Sequence, residues 1–236
     1  MKLLEIKKLE GTITLKSGLH IGSGNMEMHI GGTDSPVIKH PHTLEPYIPG
    51  SSLKGKVRSL LEYKSGLVPV DRDRGGLVTL KTLKSVENDP ALKKEAEAIL
   101  KIFGTGAGET EDEYNLGPTR AYFADCYLDE EWKGLARTNR WQLTEVKSEN
   151  AIDRIRGVAQ NPRFIERVPE GTKFRFSLTF KILDAGDGAL FDKLLEGLKL
   201  LEHDALGGNG SRGYGRIEFA FDDKEMNDGF KVLNPF

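Results

Sequence analysis

The residues from Thr172 to Ile182 alternate regularly between apolar and polar side chains. The apolar positions are Phe174, Phe176, Leu178, Phe180 and Ile182. Because successive side chains of a β-strand point to opposite faces, this pattern predicts a strand with one face turned to the core. The shorter alternation of Ile217, Phe219 and Phe221 predicts a second strand of the same kind near the end of the chain.

Two patterns near the start of the chain predict a strand and a helix. Ile13 and Leu15 alternate with polar residues, which indicates a first strand over about 12–19. Apolar residues then recur at helical spacing between Leu53 and Leu61, directly after a Pro-Gly-Ser-Ser segment. This spacing predicts a helix that begins with a serine as its N-cap.

The middle of the chain contains a second helix and a buried strand. Asp89 and Pro90 are typical of a helix start, and Gly104 is typical of a helix end. The residues 120–128 predict a strand, and the residues 189–203 predict a last helix before the C-terminal strand.

In chain order the principal elements are therefore β-α-β-β-α-β. This is the order of a ferredoxin-like core, an α+β architecture that RNA-recognition domains also use. The segment of about 66–118 is then a helical lid insertion, and the segment of about 139–170 is a hairpin-like insertion. We expect a single domain over 1–236.

Charge and cysteine content limit the function classes. The formal net charge of −2 argues against indiscriminate binding of nucleic acid, although it permits a local basic track. The single cysteine excludes an intramolecular disulfide and fits a reducing cytoplasm. No apolar run reaches membrane-spanning length, and we expect a soluble cytoplasmic protein without a membrane partner.

A glycine loop lies between the last helix and the last strand and reads Gly207-Gly208-Asn209-Gly210-Ser211-Arg212-Gly213-Tyr214-Gly215-Arg216. Bare N–H groups in such a loop can form an anion-binding concavity, with Arg212 neutralising a phosphate. The loop contains a G-x-G-x-x-G match, but a dinucleotide site would follow a strand and open a helix. The loop is therefore either a cradle for a phosphodiester backbone or an ordinary glycine-rich turn.

Several segments together resemble the RAMP proteins of CRISPR systems. They are His20-Ile21-Gly22-Ser23-Gly24, the run from Pro46 to Gly55, and the glycine loop. The middle segments Glu149 to Arg154 and Pro162 to Pro169 are similar to the backbone subunit of the type III-A, Csm-type interference complex.

The resemblance implies a subunit that stacks head to tail along a guide CRISPR RNA, together with other subunits of the type III-A complex. It also implies a thumb, here the excursion around Trp141 to Pro169, between the guide and a target single-stranded RNA. The family cleaves that target at regular intervals, with an aspartate in a Gly-Gly-x-Asp-like run. Asp34 takes this position, and the resemblance makes it the catalytic residue.

The resemblance also implies which residues contact RNA. These are His20, Ser51, Ser52, Lys54, Arg58, Arg154, Arg163, Gly207, Gly208, Gly210, Ser211, Arg212 and Gly213. Lys54 and Arg58 are four residues apart at the start of a helix, where N–H groups attract anions. With no acid at the i±4 positions of Lys54, the two cations would repel unless an anion lies between them.

Cleavage of RNA can use its own 2′-OH as nucleophile, so one carboxylate can suffice as a general base or as a metal ligand. We expect Mg²⁺ or another divalent cation as cofactor, and its ligands stay undetermined. Two alternatives remain open. One is an inert RNA-binding subunit, and the other is a stand-alone guide-processing endoribonuclease that relies on a histidine or tyrosine near the glycine loop.

Overall fold

The computed structural model describes residues 2–24, 34–72, 75–106 and 114–236. Its strands are β1 Glu5–Leu15, β2 Ala121–Phe123, β3 Tyr127–Leu128, β4 Glu145–Asp153, β5 Val158–Arg167, β6 Lys173–Ile182 and β7 Ile217–Phe221. Its helices are α1 Gly50–Ser65, α2 Leu80–Ser85, α3 Pro90–Phe103, α4 Glu130–Asn139, α5 Asp187–His203 and α6 Lys224–Val232.

The main sheet has the order β2-β6-β1-β7, and β3 also pairs with β6. All of these pairings are antiparallel, with Leu9 opposite Leu178 and Ile13 opposite Phe174 at the centre. With α1 and α5 as the connecting helices, this is the ferredoxin-like α+β core that the sequence predicts.

The core lies between one face of this sheet and the helices α1 and α5. The alternating apolar residues of β6 are all buried, as predicted, and Phe174 and Phe180 are completely so. The two helices approach closely at Gly197, where an added Cβ would lie 2.7 Å from Cγ1 of Val57. This packing fixes the start of α1 beside the sheet, and that start belongs to the candidate site.

The insertion between α1 and β2 contains α2 and α3, within the range predicted for a helical lid. The Asp89 carboxylate accepts hydrogen bonds from the N–H groups of Ala91 and Leu92, and α3 ends at Gly104, as the sequence predicts. Packing of α3 against α1 completes the core on this side.

The segment 139–170 contains an antiparallel hairpin of β4 and β5 that forms its own two-stranded sheet. We call it the thumb hairpin. The carboxylate of Asp153 caps its turn by accepting the N–H groups of Ile155 and Arg156. Gly157 completes the turn with a φ of +68°, a conformation that favours glycine.

Three sequence expectations about local structure are wrong. The first strand runs over Glu5–Leu15, earlier than predicted. The residues 120–128 form two short strands, because Cys126 pairs with Ile48 outside the sheet. The N-cap of α1 is Pro49 and no side chain caps it, so the serines lie inside the first turn. The short helices α2, α4 and α6 were not predicted. No described helix combines the length and apolar character needed to cross a bilayer.

Candidate nucleic-acid interface

Asp34 is exposed and lies beside the thumb hairpin. Its N–H donates to the carbonyl oxygen of Phe164 at 3.0 Å, and its Oδ2 accepts the N–H of Phe164 at 2.8 Å. Ser35 forms a parallel bridge with Ile165. The chain after Asp34 therefore runs alongside β5, and the carboxylate is fixed to the thumb while Oδ1 has no bonding partner among the described residues. The preceding Gly-Gly-Thr run lies outside the described residues.

The buried carboxylate of Glu166 on β5 binds the chain segment that follows Asp34. Its Oε2 accepts the N–H of Val37 at 2.9 Å, and its Oε1 accepts Nζ of Lys39 at 2.5 Å. Burial alone raises the pKa of this carboxyl, but the hydrogen bonds from Lys39, Thr144 and Val37 outweigh it and lower the pKa overall. Glu166 is therefore an ionised, buried anchor for the Asp34 segment.

His20 lies between the thumb hairpin and the glycine loop. Its Nδ1 is 2.7 Å from the carbonyl oxygen of Glu166, and its own carbonyl accepts the N–H of Gly208 at 2.8 Å. A carbonyl oxygen can only accept, so Nδ1 carries a proton in this arrangement. Nε2 is then the ring nitrogen left for a ligand, and it would donate to a phosphate in the imidazolium form of the ring.

The glycine loop, residues 207–216, passes close to His20. Gly207 has a φ of +76°, and a Cβ there would lie 2.4 Å from the carbonyl oxygen of His20. The next residues form a short 3-10 turn over Gly210–Arg212. Gly207, Gly208 and Ser211 are exposed and Gly210 is half-buried, so the loop presents backbone to solvent beside the His20 ring.

Arg212 and Tyr214 attach the glycine loop to the thumb hairpin through Glu149. Nη1 of Arg212 donates to Oε2 of Glu149 at 3.0 Å, and the Tyr214 hydroxyl donates to Oε1 at 2.8 Å. Tyr214 is fully buried, and burial followed by this hydrogen bond raises its pKa to about 12. The Arg212 side chain is 49% exposed, so one side of the guanidinium remains open to solvent.

The first turn of α1 carries Ser51, which is exposed, and Ser52 and Lys54, which are half-buried. No acidic residue lies in this turn, and the Asp125 carboxylate accepts the N–H of Gly50 at 2.8 Å. Lys54 has no ion pair among the described residues. Burial, and then the nearby Arg58 guanidinium, lower the pKa of Lys54. A bound phosphate would stabilise the charged form of this half-buried lysine.

Arg58 does not share this arrangement, and the prediction that it is available for RNA is wrong. Its Nε donates to Oε1 of Glu62 at 2.8 Å, and its other nitrogens donate to the carbonyls of Val78 and Gly104. Glu62 at i+4 is the partner of Arg58, so no bound anion is needed to hold this cation beside Lys54. The side chain is only 13% exposed and ties α1 to the lid insertion.

The predicted RNA contacts of the thumb hairpin are placed on its surface. Arg154 and Arg163 are both exposed, and neither has an ion pair among the described residues. Arg167 differs, because its Nε donates to Glu145 at 2.7 Å and its guanidinium lies over the ring of Tyr214. Arg154 and Arg163 therefore remain predictions as RNA ligands, whereas Arg167 supports the hairpin itself.

The donor set around Asp34 is compatible with a hard divalent cation bound mainly by other oxygens. Among the described residues no group of three or more histidine, cysteine, aspartate or glutamate side chains is placed to hold a metal. Mg²⁺ typically uses one or two carboxylates together with substrate phosphates and waters. Oδ1 of Asp34 is an oxygen of the type that such a cation binds.

Comparison with known proteins decides the family. The RAMP superfamily matches residues 12–218. A Methanocaldococcus jannaschii protein named CRISPR system Cms endoribonuclease Csm3 is 42% identical over 213 residues, which cover 89% of this chain and 77% of that protein. The chain belongs to the Csm3 family of the RAMP superfamily. A Streptococcus thermophilus member of the same name is 38% identical over 220 residues, which cover 90% of this chain and 86% of the relative.

Solved structures agree with this assignment. The crystal structure of a Csm3–Csm4 subcomplex in the type III-A CRISPR-Cas interference complex is similar at 31% identity and a TM-score of 0.54, covering 97% of this chain and 86% of that one. The Methanopyrus kandleri Csm3 crystal structure matches at 25% identity and a TM-score of 0.58, over 92% and 75% of the chains. The predicted family resemblance and the α+β fold are thus confirmed.

Glu149 and Glu166 were not predicted as site residues, although both lie in segments that carry the family resemblance. Their side-chain partners in the Asp34 segment and the glycine loop are 63 to 129 residues away in sequence. No local spacing signals such contacts. What distinguishes Glu166 is its burial in a mostly exposed hairpin, and sequence alone does not show which position is buried.

Proposed function

We propose that this chain is a guide-RNA-binding backbone subunit of a type III-A CRISPR interference complex and an endoribonuclease that cleaves target RNA paired to the guide. Family membership supports the proposal, because relatives at 36–42% identity are named Cms endoribonuclease Csm3. The similar Csm3–Csm4 subcomplex of a type III-A complex supports the place in the assembly.

The observation that carries the proposal is the position of the exposed Asp34 carboxylate. It is bonded to Phe164 of the thumb hairpin, and His20 is bonded to Glu166 on the same strand. Two residues along a strand span roughly 7 Å, so a carboxylate and a phosphate-binding imidazole are anchored within one nucleotide length. The glycine loop adjoins His20 on the other side.

The proposed reaction uses the RNA's own hydroxyl. The 2′ oxygen attacks the adjacent phosphorus as its proton leaves, and the P–O5′ bond breaks as O5′ takes up a proton. The products are a 2′,3′-cyclic phosphate and a 5′-hydroxyl. Asp34 Oδ1 would accept the 2′-OH proton or hold a cation, while Oδ2 remains bonded to Phe164.

Mg²⁺ or another divalent cation is the proposed cofactor. Asp34 Oδ1 would hold it, and the cation would neutralise charge on the scissile phosphate. A single carboxylate is sufficient if the RNA phosphates supply further oxygens.

Guide binding is assigned to the surface formed by His20, the glycine loop and Lys54, with Arg154 and Arg163 on the thumb hairpin as further contacts. Backbone N–H groups, an imidazole and cations recognise phosphate without reading bases. Sequence would then be read by base pairing between guide and target. A head-to-tail contact between copies does not close on itself, so successive subunits would extend along the guide.

The test is to purify the tagged chain from its host and to sequence the RNA that accompanies it. The proposal predicts short RNAs of uniform length that carry CRISPR repeat sequence, in an assembly with several copies of the chain. Absence of such RNA would contradict it. A monomer that cuts repeat hairpins by itself would instead favour the guide-processing alternative.

A further inference from the structure

Glu166 is a buried residue of β5 whose carboxylate bonds to Thr144 and to the segment that follows Asp34. The side chain is 9% exposed, and both of its oxygens bond to the segment that follows Asp34, at Val37 and Lys39. Its backbone contributes as well, because its N–H donates to the carbonyl of Ser35 and its carbonyl is the partner of His20. One residue thus bonds to both segments that carry the proposed cleavage groups.

These bonds hold the Asp34 segment alongside β5. Four successive contacts join 34–37 to 164–166: the two bonds between Asp34 and Phe164, the bond from Glu166 to Ser35, and the bond from Val37 to the Glu166 carboxylate. Val37 is itself buried. Backbone bonds from Ser23 to Pro36 and from Ile38 to Ile21 hold the other edge of the segment, so the contacts with 164–166 are the ones that tie Asp34 to the thumb hairpin.

We propose that Glu166 is a positioning residue for target cleavage: its carboxylate fixes the 34–39 segment on β5 and thereby places Asp34 for reaction. The inference rests on the proposed function of Asp34. It further implies that a shift of the thumb hairpin would shift the Asp34 carboxylate with it.

The carboxylate suits this role better than a neutral side chain would. Removal of Glu166 would leave a buried N–H at Val37 without an acceptor and a half-buried ammonium at Lys39 without its partner. The segment would then be held on β5 by the two bonds between Asp34 and Phe164 and by the backbone bond from residue 166 to Ser35. A displacement of about 1 Å at a reacting group can cost on the order of 100-fold in rate.

The experiment measures single-turnover cleavage at saturating target RNA in the complete complex. The complexes contain the wild-type chain, Glu166→Ala, Glu166→Gln, Asp34→Ala or the control Glu145→Ala. Gln keeps an acceptor for the Val37 N–H but loses the charge that pairs with Lys39. Glu145 is a matched control, because it forms an ion pair at the base of the same hairpin and has no described contact with 34–39. Target affinity and hydrogen exchange of the Val37 amide are measured on the same complexes.

Glu166→Ala is expected to lower the cleavage rate constant by about 100-fold with unchanged target affinity, and to expose the Val37 amide to exchange. Glu166→Gln should restore amide protection and part of the rate, and Glu145→Ala should cleave like the wild type. Wild-type cleavage by Glu166→Ala overturns the inference. So does an equal loss in Glu145→Ala, or a loss of target affinity that accounts for the whole effect. A wild-type complex that cuts no target would instead refute the proposed function.

Discussion

A pair of alanine substitutions in the glycine loop separates folding from RNA binding. Gly207 has a φ of +76° and its Cβ would lie 2.4 Å from the carbonyl oxygen of His20. Gly208 has no such backbone requirement, and its Cβ would lie 3.5 Å from Cδ2 of His20, an ordinary contact distance. Gly207→Ala should therefore damage the fold, whereas Gly208→Ala should be accepted.

The magnitudes follow from these two geometries. A left-handed conformation costs an alanine about 1–2 kcal/mol, and forcing a methyl against a backbone carbonyl adds about 1–3 kcal/mol. Gly207→Ala should thus lower the free energy of unfolding by roughly 3 kcal/mol, which is a melting-temperature decrease of about 6–12 °C for a chain of this size. Gly208→Ala should raise the free energy of unfolding by about 0.5 kcal/mol, because it restricts the unfolded chain.

RNA affinity should respond differently from stability. The Gly208→Ala methyl group lies beside the His20 ring, where the proposal places a guide phosphate. Loss of one charge-assisted hydrogen bond, about 1.5 kcal/mol, weakens guide binding roughly tenfold. Urea denaturation gives the stabilities, and filter binding of a labelled guide RNA gives the affinities. A stable Gly208→Ala protein that binds guide RNA like the wild type would refute the cradle and leave the loop as an ordinary turn.

Four further predictions concern charge and assembly. Lys54→Ala should weaken guide binding and reduce the log–log salt slope by about 0.7 for a single strand, without a change in stability; an unchanged slope would show a solvated helix face. Arg58→Ala is the comparison for Lys54→Ala. It should lower the free energy of unfolding by about 3 kcal/mol, because it leaves the buried Glu62 carboxylate without its ion-pair partner. Because the folded pKa of Glu166 is below its usual 4.5, its contribution to stability is present above that pH and is lost as pH falls. The difference in unfolding free energy between wild type and Glu166→Gln should accordingly shrink below about pH 4.5, and a constant difference would argue against an ionised anchor. The purified chain should form oligomers whose light-scattering mass increases with RNA length, and a constant mass would contradict head-to-tail stacking.

The sequence predicts those parts of the fold that depend on local pattern. The strand β6 follows from its alternation, and α3 follows from Asp89, Pro90 and Gly104, because these signals are complete within a few residues. The strands β2 and β3 escape prediction as separate elements, since the break between them arises from the pairing of Cys126 with Ile48. Such pairing depends on distant chain, which local periodicity does not report.

The candidate site divides in the same way. The glycine loop is found from its composition, whereas Asp34 and His20 are found from the family resemblance, and the structure brings His20 and the loop together. The role of Arg58 was misjudged because its partners Val78 and Gly104 belong to the insertion, 20 and 46 residues further along the chain. Glu166 depends on contacts nearly 130 residues apart, and only the fold reveals that it supports Asp34.

The most direct test of the central claim compares the wild type, Asp34→Ala and Asp34→Asn in the assembled complex with guide-matched target RNA. Asparagine keeps an oxygen that can accept the Phe164 N–H but removes the negative charge, so it separates chemistry from placement. We predict that both variants bind guide and target like the wild type and produce no 2′,3′-cyclic phosphate ends. Cleavage at the wild-type rate by either variant would contradict the account, because the carboxylate of Asp34 could then be neither the base nor the cation ligand.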